Sequence, residues 1–372
     1  MFDVVVIGGN LAGSSAAINA SNKGVNVALV ERNKEPFYPA HCGEGIDDVT
    51  SEMFGLDKID FTKNRISNII VNIASKEYTF ELKKQGALVF DRNRVENELL
   101  KRAENQGVEL FLGINMRDFK PPHEIVLDNK KIIKGRIIID ASGISCQVGR
   151  RIGMDTKLRK EDIGVCIQSR VQSDFTANTM RLWFHKPYAP LGYAWLFPLN
   201  EKMANIGLGV IGGQKLDHSK LLENYIKDMT GGKYKIISTF KACVPLASPM
   251  NRLIKDNVMI TGDAARLSNS TAGSGIRNAL FSGSLAGIIA AKYIQGEIPS
   301  LEPYQEAMQS KISMLRKFYV RKRKIESDTK FVRAYRRAYT RLYFVNKLAP
   351  NLIQGHIAKV LEKDKYILES YK

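Results

Sequence analysis

The chain opens on an apolar run, Asp3-Val4-Val5-Val6-Ile7, and reaches a second at Val25 to Val30. Between them lie a glycine turn, Gly8-Gly9-Asn10-Leu11-Ala12-Gly13, and a helix-like stretch to Lys23-Gly24; the second run stops on Glu31. Strand, turn, helix and a second strand ending in an acid is the layout of a dinucleotide-binding unit. Gly8 permits the tight turn, and Gly13 lets the helix lie close on the strand. The helix N-terminus offers N–H groups and a positive dipole end to a pyrophosphate, and Glu31 is placed to accept from ribose hydroxyls. Asn10 stands where the second glycine of the pattern usually sits. Asn tolerates unusual backbone angles, but its side chain lies where the backbone approaches the phosphates. Without a ligand the same pattern is a buried βαβ unit.

Further on, a loop with Pro36 and Pro39 leads into His41-Cys42-Gly43-Glu44-Gly45-Ile46. Alternation predicts short strands at Ile66–Ile73 and Tyr78–Leu82. Asp91 is a plausible N-cap for a helix with Val95, Leu99 and Ala103 on one face, ended by Gly107 before a strand Val108–Leu112. A polar hairpin (125–127, 131–133) precedes Ile137-Ile138-Ile139-Asp140-Ala141-Ser142-Gly143, a buried parallel strand running into a turn. Residues 163–210 change character, with β-rich runs at Met180–Phe184, Tyr193–Phe197 and Ala204–Val210 that predict an antiparallel sheet in a second domain. Asp217–Met229 is predicted helical. Asn257 to Ala265 is again an apolar strand ending at Gly262-Asp263, and Ala272-Gly273-Ser274-Gly275-Ile276 leads into a small-residue helix to Tyr293.

The expected fold is α/β: a Rossmann-type nucleotide domain (1–62, 85–160, 240–300) interrupted by an antiparallel β-sheet substrate domain (63–84, 161–239). A basic helical C-terminal region, 301–372, follows. Hydrophobic content of 44% and charged content of 25% are ordinary for a folded protein. The balance of 56 Lys+Arg against 38 Asp+Glu, a formal +18, is not, and it suggests an anionic partner. Four widely spaced cysteines without a C-x-x-C form neither a zinc-ligand pattern nor a disulfide framework, so no metal is expected and a reducing compartment is. The first strand starts at residue 2 and no run of apolar residues is long enough to span a bilayer. The expected location is the cytoplasm, or a membrane approached from that side.

The glycine turn with Glu31, Asp91-Arg92, Asp140-Ala141-Ser142-Gly143 and Gly262-Asp263, in that order and spacing, resemble the FAD-dependent monooxygenase and reductase superfamily with the hydroxybenzoate-hydroxylase-like fold, over residues 1 to about 295. Two stretches narrow the resemblance. Pro190-Leu191-Gly192-Tyr193-Ala194-Trp195-Leu196-Phe197-Pro198 matches the P-x-x-Y-x-W-x-F-P signature of geranylgeranyl reductases, and His41 to Ile46 is similar to their C-G-x-G flavin loop. Met203 to Gly209 is similar to the strand that follows the signature. The chain therefore resembles the geranylgeranyl reductases of the archaeal digeranylgeranylglycerophospholipid reductase kind.

That resemblance implies FAD as cofactor, with Ala12, Gly13 and Glu31 at the adenosine end and pyrophosphate, and Arg92 at the phosphates or adenine side. Met116 falls near the adenine through its backbone. Cys42, Gly43 and Gly45 line the flavin loop, and Asp263, Gly275 and Ile276 hold the ribityl chain and ring. Tyr193, Trp195 and Phe197 wall a lipid channel. The implied chemistry is saturation of isolated alkenes of an isoprenoid lipid, by hydride from reduced flavin and a proton from an acid; Cys42 is the candidate donor, or else sets the shape beside the ring. NAD(P)H or ferredoxin is the implied electron source. Ser268 to Gly275 lacks the proline usual before the flavin helix. Rival readings are a reductase of another prenyl substrate, such as a menaquinone side chain, and a flavin monooxygenase or halogenase.

From Lys311 the chain is strongly basic, and Phe331, Tyr335, Ala338, Leu342 and Val345 recur on one helical face. Such a helix suits an anionic leaflet, at ~1 kcal/mol per basic residue near the surface, or else packs its stripe on the flavin domain. No nucleic-acid motif accompanies the charge.

Overall fold

The computed structural model describes residues 1–371 apart from 36–41, 58, 60, 83–85, 326 and 349. Pro36, Pro39 and His41 lie outside the described residues. The helices of the described residues are α1 (Leu11–Ser21), α2 (Asp48–Met53), α3 (Arg92–Asn105), α4 (Gln147–Arg151), α5 (His218–Thr230), α6 (Ile276–Ile294), α7 (Glu302–Arg323), α8 (Asp328–Leu348) and α9 (Pro350–Tyr371).

The strand Phe2–Ile7 pairs in parallel with Val27–Glu31 on one side and with Ile132–Asp140 on the other. Val258–Ile260 and Glu109–Leu112 extend this parallel sheet at its two flanks. The run Val4 to Ile7 is buried throughout, as expected for a parallel strand covered on both faces. Asn10 caps α1: its Oδ1 accepts from the N–H of Ala12 (2.9 Å) and of Gly13 (3.4 Å), and its Nδ2 donates to the Ala141 carbonyl (2.5 Å). The side chain expected to crowd a phosphate instead folds back on its own helix. Gly13 is required by contact, since a Cβ there would lie 1.7 Å from the Gly8 carbonyl oxygen. On the other side of α1, Cβ atoms on Gly283 and Gly287 of α6 would lie 2.1 Å from the carbonyl oxygens of Ala12 and Ala16. The small residues of α6 thus let two helix backbones touch.

A seven-stranded sheet forms the second layer, in spatial order Lys235–Pro245, Ile163–Gln172, Met203–Ile211, Ala189–Asn200, Thr179–His185, Asn68–Ile73, Lys76–Glu81. It is antiparallel except where Thr179–His185 runs parallel to Asn68–Ile73. Two details depart from expectation, and a third shows what fixes the motif turn. The strand expected at Ile66–Ile73 is two strands: the N–H groups of Ser67 and Asn68 both turn to the Asn178 carbonyl (3.0 Å each), and Thr62–Ile66 leaves for a separate three-stranded sheet with Ala87–Phe90 and Gly45–Asp47. The strand Lys235–Pro245 carries the large sheet past the expected boundary at 240. The motif acid Asp140 is spent on the turn itself, accepting from Ser142 N–H (3.0 Å), Ser142 Oγ (2.6 Å), Val148 N–H (2.8 Å) and Gly149 N–H (3.0 Å).

Several of the tail's cations prove to be fastenings. Buried Lys311 bonds both oxygens of Asp364 (2.9 and 2.8 Å), and buried Lys322 reaches Asp162 (3.2 Å) and the Leu246 carbonyl (2.7 Å). On α8, the aromatic face is Phe331, Tyr335, Tyr339 and Tyr343, and it packs mainly on Tyr78, Phe80 and Phe184 of the seven-stranded sheet, with Tyr335 also reaching the nucleotide domain at the Thr271 carbonyl. Ala338 and Leu342 of the expected stripe are exposed. Among the described residues, no helix is long and apolar enough to cross a membrane.

Candidate active site

The C-terminal ends of the parallel strands face the seven-stranded sheet across a cavity of ≈ 1190 Å³. That exceeds the roughly 300–1,000 Å³ usual for one small ligand, which leaves room for a dinucleotide and a second molecule. Its wall includes Glu31, Cys42, Gly43, Gly45, Arg92, Met116, Tyr193, Trp195, Phe197, Asp263, Gly275 and Ile276. Ala12 and Gly13 stand behind that wall in the first turn of α1, their N–H groups turned to Asn10. Glu31 at its strand end accepts from the Gly9 N–H (2.8 Å) and the Asn33 N–H (2.9 Å), which holds its carboxylate over the glycine turn.

The Cys42 loop is held by a polar cluster that no local motif marks in the sequence. Glu44 adopts a left-handed backbone (φ 66°), costly for a residue with a side chain, and its buried carboxylate fixes it there. That carboxylate accepts from Arg170 Nη2 (2.6 Å), Asn205 Nδ2 (2.7 Å) and the Arg92 N–H (3.3 Å). Burial raises its pKa despite Arg170 and Asn205. Gln168 donates to the Cys42 carbonyl (2.9 Å) and accepts from Trp195 Nε1 (2.8 Å), which joins the loop to the aromatic wall. The signal for these residues was available: Gln168, Ser169 and Arg170 are consecutive polar positions inside an otherwise largely apolar strand, and buried polar groups need partners.

Arg92 starts α3 with Asp91 as N-cap. Its Nε donates to Glu96 (2.9 Å), and its guanidinium also reaches the Cys42 sulfur. Burial opposes the Arg92 charge, but Glu96 and Cys42 outweigh it and hold the pKa up. Burial also pushes Glu96 up to about 7, against the pull of Arg92. Across the cavity, burial raises Asp263, and its carboxylate makes no hydrogen bond to a described residue. A Cβ on Gly275 would lie 3.3 Å from Asp263 Oδ1, and α6 begins just beyond with no side-chain cap. An acceptor with no donor among the described residues, beside an uncapped helix start, fits a polyhydroxyl chain ending in a ring with hydrogen-bond acceptors. In the segment before α6 that lacks the proline, Asn269 holds the turn. Its Oδ1 accepts from Thr271 N–H (2.9 Å) and Oγ1 (2.8 Å), and its carbonyl accepts from Gly273 N–H (2.7 Å).

Tyr193, Trp195 and Phe197 are alternate residues of one strand and so share a face. Trp195 lies flat on Gly207, where a Cβ would come within 2.4 Å of Cζ2, and Phe197 packs on Gly43 and Gly45. Tyr193 Oη donates to the Ala272 carbonyl (2.7 Å), and Tyr335 of α8 to that of Thr271 (2.8 Å). Phe331 and Tyr335 also line the cavity, so the C-terminal region supplies part of the wall.

A parallel nucleotide sheet, an acid beside an uncapped flavin-type helix and an apolar aromatic wall define an FAD-dependent oxidoreductase. The profile of FAD-dependent oxidoreductases matches residues 3–186, and that of the geranylgeranyl reductase catalytic domain matches 162–244. The chain is 30% identical to digeranylgeranylglycerophospholipid reductase 1 of Methanococcoides burtonii over 308 residues, 79% of this chain and 75% of that one. It is 32% identical to the reductase of that name from Methanothrix thermoacetophila over 303 residues, covering 78% and 77%. A geranylgeranyl bacteriochlorophyll reductase-like protein from Thermoplasma acidophilum shares the fold at a TM-score of 0.80 and 23% identity, over 89% of this chain and 90% of that one. A flavin-dependent brominase shares it at 0.70 and 15% identity, covering 99% and 97%. The chain belongs to the digeranylgeranylglycerophospholipid reductase family, and FAD is its cofactor.

Proposed function

We propose that this enzyme saturates isolated double bonds in the geranylgeranyl chains of archaeal membrane lipids or their precursors. The observation that carries the reading is one continuous cavity in which the Cys42 loop and Asp263 meet the wall of Tyr193, Trp195 and Phe197. An isolated trisubstituted alkene offers nothing polar to grip, so an apolar aromatic channel suits it. In this reading Glu31, Arg92 and Met116 flank the adenosine half of FAD, and Asp263, Gly275 and Ile276 hold the ribityl chain and ring end, with Ala12 and Gly13 supporting the turn from behind. When bound and reduced, FAD supplies the hydride. The protein aligns the alkene, excludes water and holds the proton. Cys42 is the proposed donor. Gln168 and the Glu44 cluster set its loop, and cationic Arg92 lies against its sulfur, where it meets the charge left when the proton departs. Electrons come from NAD(P)H or a ferredoxin, and the enzyme works at the cytoplasmic face of the membrane.

The proton step is tested with reduced holoenzyme under anaerobic conditions. Cys42→Ser and Cys42→Ala should keep bound flavin and lose roughly 10²-fold or more in lipid turnover, the usual scale for a general acid. Full turnover in both variants would remove Cys42 from the chemistry.

A further inference from the structure

Helix α8 carries two chemistries on two faces. Its aromatic face covers the seven-stranded sheet and, through Phe331 and Tyr335, walls the main cavity. The other face carries Arg333, Arg336, Arg337 and Arg341, which line a separate, open cavity of ≈ 880 Å³ together with His185 and Lys186. Thr329 and Thr340 also line this cavity. The four arginines are exposed and form no ion pair with a described residue. This sets them apart from Lys311 and Lys322, whose charges are spent on fastening α7. Like charges on neighbouring turns repel, so the row gains nothing for the fold. Arginine forks match phosphate oxygens two at a time, and a concave array of them concentrates that match. Phe344 falls on the same side of α8 by helical spacing and is 53% exposed, an apolar group set among the charges. Charge, concavity and a protruding ring together fit the surface of an anionic bilayer.

We propose that the α8 cavity is a phosphate-recognition site for the headgroups of an anionic membrane, which seats the enzyme on the leaflet that holds its substrate. The proposal rests on the lipid-reductase reading above, and the test separates the two. FAD-loaded protein is floated with vesicles of phosphatidylcholine alone or with added phosphatidylglycerol, at low and high salt. Wild type should float only with the anionic vesicles, and less as salt rises. Arg333→Gln/Arg336→Gln/Arg337→Gln/Arg341→Gln should bind them roughly tenfold or more weakly. Arg337→Glu alone should show a smaller loss in the same direction. Both variants should keep their flavin and their turnover of detergent-dispersed lipid. A control that removes four charges elsewhere, Lys215→Gln/Lys220→Gln/Lys227→Gln/Lys233→Gln, should stay within about twofold of wild type. Indifference of wild type to anionic lipid would overturn the site. So would equal losses in the arginine variant and the control, which would reduce the effect to net charge. Glycerol phosphate competing off the vesicles at low concentration would overturn the bilayer as its source, and preferential binding of single-stranded RNA would overturn lipid as its partner. Vesicle binding without turnover of any lipid would leave the site standing and defeat the substrate reading instead.

Discussion

Gln168 spends both ends of one amide on joining two parts of the site, the Cys42 carbonyl and the Trp195 indole. Gln168→Leu keeps the volume, leaves the buried Trp195 N–H unpaired at a cost of about 1–3 kcal/mol, and strips the half-buried Cys42 carbonyl of its donor. The denaturation midpoint should fall accordingly. Turnover should also fall with FAD content unchanged, because the loop and the wall lose their common register; unchanged turnover would make Gln168 a purely structural residue. Glu96 offers a pH test. Burial raises it from 4.5 to about 7, so the folded protein binds its proton more tightly than the unfolded chain does. The stability this allows is fully present below about 4.5 and is lost as pH rises through about 7. Between those values flavin-free wild type should lose roughly 1–3 kcal/mol relative to Glu96→Gln. Chemical denaturation across that range reads the difference, and parallel slopes would contradict the assignment. At this scale the sequence disclosed the motif residues but not their partners. Cys42, Arg92 and Asp263 are visible because they sit in short motifs that resemble those of a known family, whereas Glu44, Gln168, Arg170 and Asn205 acquire meaning only when two distant strands are brought together. Asn10 shows the same limit: its identity was plain and its cap was not, because a side chain's direction depends on what surrounds it.

Elements were legible where periodicity and length agreed. The opening βαβ unit, the strand ending at Asp140 and the helix after Gly275 all lie where their patterns put them. Where one apolar run serves two sheets, periodicity gives no warning, and the break at Ser67 rests on a carbonyl more than a hundred residues away, Asn178. The parallel pairing of Thr179–His185 with Asn68–Ile73 is hidden for a similar reason, since strand direction is set by the path of the chain and leaves no mark on either strand. Small residues in α6 are plain in the sequence, but their purpose appears only in the approach of α1, backbone to backbone. Helix α8 is legible as amphipathic but its partner is not: the aromatic positions lie mainly on a sheet, with Tyr335 also bonding the loop before α6, which leaves the arginine face for an anionic surface.

At the scale of the whole molecule, a nucleotide-binding sheet and an aromatic-faced sheet enclose one cavity, and the C-terminal helices close part of it. The net charge of +18 pointed to an anionic partner, yet part of the tail's charge is internal, as Lys311 with Asp364 and Lys322 with Asp162 demonstrate. Charge counts alone therefore overstate the basic surface; burial decides which cations remain available. The central claim is that the cavity brings a reduced flavin and an isoprenoid chain together so that hydrogen passes to an isolated alkene. The most direct measurement is mass spectrometry of digeranylgeranylglycerophospholipid after anaerobic incubation with dithionite-reduced holoenzyme. The account predicts products heavier by two hydrogens for each bond reduced, and a sharp fall in their yield when Trp195→Ala opens the channel wall. Unchanged lipid alongside fully reduced, FAD-loaded enzyme would contradict it.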